Sequence, residues 1–386
     1  MSKIYKRTAL AKSCYDLAVE RTALCFDRYD RVAVSFSGGK DSTAVLNVAL
    51  AAARAAGKLP LDVYTFDEEA IPPETVEYMA RVAASPDVRF VWFCLPVEHR
   101  NACSKAQPLW HPWAPEDRAK WVRELPPLAV TELKGFRRGM AIPQVIPHIW
   151  GPERGTVCHL LGIRTQESMT RYRAVCMKQG KEAFLSGYDG AKWMVKGYPI
   201  YDWPVDDVWL APALMGWDYN HAYDVMARAG LSRSAMRCAP PFGEQPLRGL
   251  HRFKTCWPQL WAKMCDRVPG AATAARYANT ELYGIGMTGA SLPEGAESWE
   301  AYTFQLIDQL APSARADVAK GIQNCIRNHK SRTFDPLPDA EPHPGSGYCW
   351  KGMCVIAQIG GNKLDRQAQK VRGKALEARK KRGINT

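Results

Sequence analysis

The chain has 386 residues, with 52 Lys plus Arg against 39 Asp plus Glu, a formal net charge of +13. Hydrophobic residues make up 46% and charged residues 24%, a globular balance that excludes a disordered or fibrous chain; the length suits one large domain with an appendage, or two domains. No apolar run is long enough for a membrane helix and the N-terminus reads as no secretory signal, so the twelve cysteines are expected as mostly reduced thiols of a cytoplasmic protein.

In chain order, residues 8–29 have the spacing of an amphipathic helix. The apolar run Val32 to Phe36 predicts a buried parallel strand. Ser37-Gly38-Gly39-Lys40-Asp41-Ser42 follows, then an Ala-rich helix from about Asp41 to Ala56, stopped by Gly57. A second strand, Asp62 to Phe66, ends at Asp67; a helix is expected over Pro73 to Ala84 and a third strand over Val88 to Leu95. This alternation predicts parallel βαβ units with right-handed crossovers. Residues 97–155, with four of the thirteen Trp and many Pro, read as an insertion packed as a cap. The α/β pattern resumes at Val157 to Arg164 and Ala183 to Ser186. Tyr198 to Trp209 reads as a turn-rich aromatic segment, Asn220 to Ala229 as a short helix, 258–332 as largely helical, and Asp335 to Gly347 as a linker. The expected division is an N-terminal helix (1–29), a nucleotide-binding domain (30–257) carrying the insertion, a helical region (258–345) and a basic tail (346–386).

The Gly-Gly segment carries the chemistry. Adjacent glycines let backbone approach an anion closely, and the first amides of the next helix are unpaired at the positive end of its dipole. Ser37, Ser42 and Thr43 add hydroxyls and Lys40 adds charge. A carboxylate here would repel bare phosphate, so Asp41 either caps amides or holds a divalent metal that the phosphate also binds. The spacing is neither that of a Walker A loop nor that of a dinucleotide fingerprint.

The Ser-Gly-Gly-x-Asp-Ser string resembles the PP-loop of the ATP pyrophosphatases, an adenine nucleotide α-hydrolase-like superfamily. Thr65-Phe66-Asp67 with Pro73-Glu74-Thr75, Gly162-Ile163-Arg164-Thr165-Gln166-Glu167-Ser168, and Tyr201-Asp202-Trp203 leading to Asp207-Val208-Trp209 are similar to successive motifs of its phosphoadenosine-phosphosulfate (PAPS) reductase-like branch. The resemblance covers about residues 28–245 and implies a Rossmann-like parallel sheet that binds ATP or PAPS, with Mg2+. It implies nucleotide contacts from Ser37, Gly38, Gly39, Lys40, Asp41, Ser42, Thr43, Asp67, Gly162, Arg164 and Glu167, with Lys40, Asp41 and Arg164 catalytic and Asp41 on the metal. A carboxylate at Asp67 suits ribose hydroxyls or the adenine amino group, or else caps a helix; Arg164 suits phosphate or sulfate, and can also pair with Glu167. The insertion and the Ser232 to Gly243 stretch look like a subgroup from phage and mobile elements often paired with a ParB-like partner.

The chain departs from the reductase pattern. It has no C-terminal Glu-Cys-Gly-Leu-His and no Cys-Cys or Cys-x-x-Cys pair, so an iron–sulfur cluster is not expected. Cys238, Cys256 and Cys265 read as buried structural thiols. Three functions stay open: cleavage of ATP at the α-phosphate to activate an acceptor, with sulfur transfer to nucleic acid as an extension; sulfonucleotide reduction with a relocated thiol; and nucleotide sensing by a DNA-binding regulator. Lys363, Arg366, Lys370, Arg372, Lys374, Arg379, Lys380, Lys381 and Arg382 would supply a salt-dependent nucleic-acid contact.

Overall fold

The computed structural model describes residues 12–104, 106–176, 182, 184–242, 250–277, 292–293, 295–310 and 312–359. The start of the expected first helix, Gly243 and the basic residues Lys363 to Arg382 lie outside the described residues. Packing divides the chain into two units, residues 1–278 and 279–386.

The first unit opens with α1 (Cys14–Arg28). Ser13 and Asp16 close it reciprocally: the Ser13 hydroxyl accepts the Asp16 amide at 3.1 Å and the Asp16 carboxylate accepts the Ser13 amide at 3.1 Å, which satisfies two otherwise orphaned donors. Then come β1 (Arg31–Ser35), α2 (Lys40–Ala55), β2 (Leu61–Phe66), α3 (Pro73–Ala83) and β3 (Val88–Phe93). The insertion holds an antiparallel pair, β4 (His99–Arg100) and β5 (Leu109–Trp110), then β6 (Ala129–Val130) and α4 (Ile142–Val145). After it come β7 (Val157–Leu160), α5 (Met169–Cys176), β8 (Leu185–Gly187), β9 (Met194–Gly197), α6 (Val205–Met215), α7 (Ala222–Arg228), α8 (Leu250–Cys256), α9 (Pro258–Arg267) and α10 (Ala271–Tyr277).

Seven strands form one sheet in the order β6-β3-β2-β1-β7-β9-β8. All pair in parallel except β8, which runs antiparallel to β9. The chain steps outward from β1 through β2 and β3 to β6, then returns to the other side of β1 at β7. Ligands of open α/β sheets bind beyond the strand carboxyl ends at such a reversal. The pairing of Val34 with Leu160 sets the Gly-Gly loop after β1 beside the Gly162 to Arg164 turn after β7.

Alternation along the strands sorts two faces. Val32, Val34 and Phe36 pack with α1, α2, Ile200 and Trp203, whereas Ala33, Tyr64 and Val157 pack with Val145, Ile146 and Trp150 of the insertion. The insertion therefore covers one face and also donates β6 to the sheet, which its Pro and Trp content did not reveal. A third cluster joins Cys103, Trp110 and Val122 of the insertion to α7, α8, α9 and α10. Residues 205–209, expected as turns, open α6: Pro204 precedes it, and Asp206 and Asp207 occupy its first turn, where acids suit the dipole.

The second unit contains α11 (Trp299–Asp308), α12 (Pro312–Lys330) and α13 (Trp350–Ile359), gathered on Trp299, Ile322, Tyr348, Trp350 and Met353. The expected linker is folded into it. His329 Nδ1 bonds the Ser346 hydroxyl at 2.6 Å, and the Gly345 and Ser346 amides donate to His343 Nδ1 at 3.0 and 3.1 Å. No helix among the described residues is long and apolar enough to cross a membrane.

Candidate phosphate-binding site

The loop between β1 and α2 is built by close backbone approach. Gly38 has φ +68°, and a Cβ there would lie 2.9 Å from Thr75 Cγ2, so only glycine fits. Ser42 folds back on the loop: its hydroxyl accepts the Ser37 amide at 3.2 Å, donates to the Gly39 carbonyl at 2.9 Å and lies 3.1 Å from the Ser37 hydroxyl. Thr43 donates to the same Gly39 carbonyl at 3.0 Å. Gly162 lies against this turn, since a Cβ on it would meet the Asp41 carbonyl carbon at 2.8 Å and the Ser42 nitrogen at 3.0 Å.

Charge converges where the two turns meet. Lys40 Nζ donates to Asp41 Oδ2 at 2.7 Å and Arg164 Nε to Asp41 Oδ1 at 2.5 Å. Arg164 also donates to the Trp203 carbonyl at 3.3 Å and stands 4.0 Å from Glu167, which pairs with Arg171. The Arg164 side chain is 3% exposed and that of Asp41 17%. Burial works against ionisation of Asp41, but Lys40 and Arg164 outweigh it and hold the carboxyl below its ordinary value. The Tyr-Asp-Trp segment acts as scaffold: Tyr201 and Trp203 present carbonyls to Thr165 and Arg164, while Asp202 is clasped by Arg21 of α1 at 2.8 and 2.6 Å.

The loop is braced from α7 and beyond, by residues whose local pattern marks nothing. The Lys40 amide donates to the Tyr223 hydroxyl at 2.8 Å. Buried Asn220 donates to the Gly38 carbonyl at 2.9 Å and to Thr75 at 2.8 Å, and its carbonyl accepts the Ala222 amide at 2.9 Å. Cys238 lies against Asn220, Tyr223 and Thr75, and burial pushes its thiol up to about 11.

Ser37 through Thr43, Gly162, Arg164 and Glu167 are thus brought together. Asp67 is engaged elsewhere: its oxygens accept the Trp92 indole N–H at 2.8 Å and the Glu69 amide at 2.9 Å, and pair with Arg123. Beside it, fully buried Glu69 takes a bidentate pair from Arg267 at 2.9 and 3.1 Å plus the Trp113 and Val122 amides at 2.7 and 3.1 Å. Asp206 and Asp207 face other partners, Asp207 accepting the Cys14 thiol at 3.2 Å. Among the described residues no group of three or more His, Cys, Asp or Glu is placed to hold a metal. Asp41 offers one carboxylate already shared by two cations, a donor set that suits a Mg2+ arriving on nucleotide phosphates better than a resident ion.

The phosphoadenosine phosphosulfate reductase domain model matches residues 31–228, and a second model, a domain of unknown function (DUF3440), matches residues 230–333. "Uncharacterized protein YbdN" of Escherichia coli (strain K12) is 31% identical over 328 residues, covering 80% of this chain and 77% of that protein. A PAPS reductase from Candida auris in phosphate complex is similar at 14% identity and a TM-score of 0.33, over 57% of this chain and 94% of that one. An FMN adenylyltransferase from Candida glabrata is similar at 12% identity and a TM-score of 0.34, over 56% of this chain; the match spans 62% of the adenylyltransferase.

Proposed function

Because the chain belongs to the phosphoadenosine phosphosulfate reductase domain family, we propose that its Gly-Gly loop binds the phosphate chain of ATP or a related adenine nucleotide, and that the protein cleaves ATP at the α-phosphate to activate an acceptor. The observation that carries this reading is the Lys40–Asp41–Arg164 array at the β1/β7 reversal. Both cations rest on a carboxylate and can transfer their hydrogen bonds to an incoming phosphate. The α2 amides and the Ser37 hydroxyl hold the chain in register. An acceptor oxygen attacks the α-phosphorus, the bond to the bridging oxygen breaks, and the electron pair leaves on pyrophosphate, whose growing charge Lys40 and Arg164 stabilise. Mg2+ bound to the phosphates and Asp41 would supply further charge neutralisation. Sulfur transfer extends this reading: a sulfur nucleophile displaces AMP from an adenylated nucleic acid recruited by the basic tail.

The test is incubation with ATP labelled at the α-phosphate, with and without DNA or RNA. Pyrophosphate released with AMP or an adenylated acceptor supports the reading. Sulfite formed from PAPS with thioredoxin would establish the reductase instead, and binding without any product would establish a sensor. Deleting residues 363–386 should weaken nucleic-acid binding and spare ATP binding; unchanged binding across a salt titration removes the tail from the account.

A further inference from the structure

The loop amide at the start of α2 is already taken. Lys40 N–H is the first amide of the helix, one of those that an anion would claim, and it donates to the Tyr223 hydroxyl at 2.8 Å. That hydroxyl also lies 3.6 Å from where a Gly39 Cβ would be. Burial first, and then the neighbouring Cys238 thiol, push the Tyr223 hydroxyl well above its ordinary value, so it keeps its hydrogen with the Cys238 sulfur beside it. The Tyr223 ring meets Trp209 edge-on at 4.9 Å between centroids, and Lys40 Nζ stands 5.8 Å from the centroid of that indole. The Trp209 indole N–H is buried and has no partner among the described residues, so a donor beside the loop is left without an acceptor.

We propose that the Tyr223 hydroxyl is a built-in occupant of the first anion seat of the loop, displaced when a phosphate chain binds and anchored meanwhile by Cys238. The inference rests on the reading that the loop takes a phosphate chain, and it adds a residue that sets the affinity threshold. A phosphate oxygen gains the Lys40 amide only by breaking the Tyr223 contact, so weakly charged ligands are discriminated against. The threshold residue comes from α7, and its anchor lies in the stretch matched by the domain of unknown function.

Removing the hydroxyl leaves the Lys40 amide without its partner in the free protein, whereas the liganded state loses nothing. Tyr223→Phe should therefore bind pyrophosphate about tenfold more tightly than wild type by calorimetry, since the ligand no longer has to break a hydrogen bond to the half-buried Lys40 amide. Cys238→Ala, which loosens the anchor and also removes the Asn220 contact at 3.5 Å, should tighten binding by a smaller factor. A hydroxyl that merely supports the loop, or that donates to the ligand, would make Tyr223→Phe bind equally or more weakly, and that result overturns the proposal. If melting curves show that Tyr223→Phe does not fold, Cys238→Ala decides by the same criterion. Wild-type protein that binds neither pyrophosphate nor ATP would sink the loop reading itself; wild-type binding without tightening in the variants sinks only the Tyr223 proposal.

Discussion

Asp41 and Glu69 are both carboxylates held by guanidinium groups at the carboxyl end of the same sheet, yet they are built for opposite ends. The oxygens of Asp41 receive two side-chain donors, Lys40 and Arg164, and its side chain is 17% exposed. Those of Glu69 receive Arg267 twice and two backbone amides, with the side chain wholly buried. Side-chain donors can swing to a new acceptor; amides fixed in a packed insertion cannot. Under the proposed function the first carboxylate is an exchange point; the second is a lock joining β2, the insertion and α9.

The contrast breaks most clearly at the lock. Arg267→Ala leaves Glu69 charged and buried without its partner, so it should lose about 3–5 kcal/mol of stability in chemical denaturation. A loss below about 1 kcal/mol would make the pair no more than a surface bridge. At the exchange point, Arg164→Ala should leave the fold intact but lower turnover about 10²–10³-fold, as removal of a preorganised charge donor does; a lowered melting temperature with normal turnover would reverse the assignment. Gly162→Ala sharpens the comparison, because its Cβ would press on the Asp41 backbone at 2.8 Å. It should cost about 1–3 kcal/mol and weaken nucleotide binding more than Gly187→Ala, where a Cβ meets nothing within 4 Å.

The smallest effect is a pH dependence at Glu68, between the two sites in sequence. Burial, and then neighbouring Asp67, push its carboxyl up to about 7 from an ordinary 4.5, while burial holds His99, 3.5 Å away, down at about 4. The fold favours neutral Glu68, so this group's contribution is fully present below its ordinary value and is lost as pH rises through 7. Glu68→Gln should raise the melting temperature at pH 8 and leave it unchanged at pH 4; equal effects at both would remove Glu68 as the cause.

The meeting of the Gly-Gly loop with Gly162 and Arg164 around Asp41 was legible in the sequence because its parts are local. A strand, two glycines, a lysine and a helix start lie within a dozen residues, and Gly162 and Arg164 follow an apolar strand in the same way. The lock and the loop's brace were not. Arg267 is 198 residues from Glu69 and Tyr223 is 183 from Lys40, so no periodicity links them. Arg267 closes an amphipathic helix and looks in sequence like a solvated terminal cation, and Glu69 looks like the third member of an acidic turn. Asp67 shows the reverse: its position at a strand end is that of a ligand residue, yet Trp92 and Arg123, set by the packing of β3 and the insertion, take its oxygens.

The margins of the sheet have a consequence of their own. One is β6, two residues long, and the other is β8, three residues long and reversed in direction. Short outer strands offer an incoming strand few unpaired rungs. The long, apolar, same-direction ladders in the middle, which would be the adhesive part of this fold, are screened on both sides from edge-to-edge polymerisation.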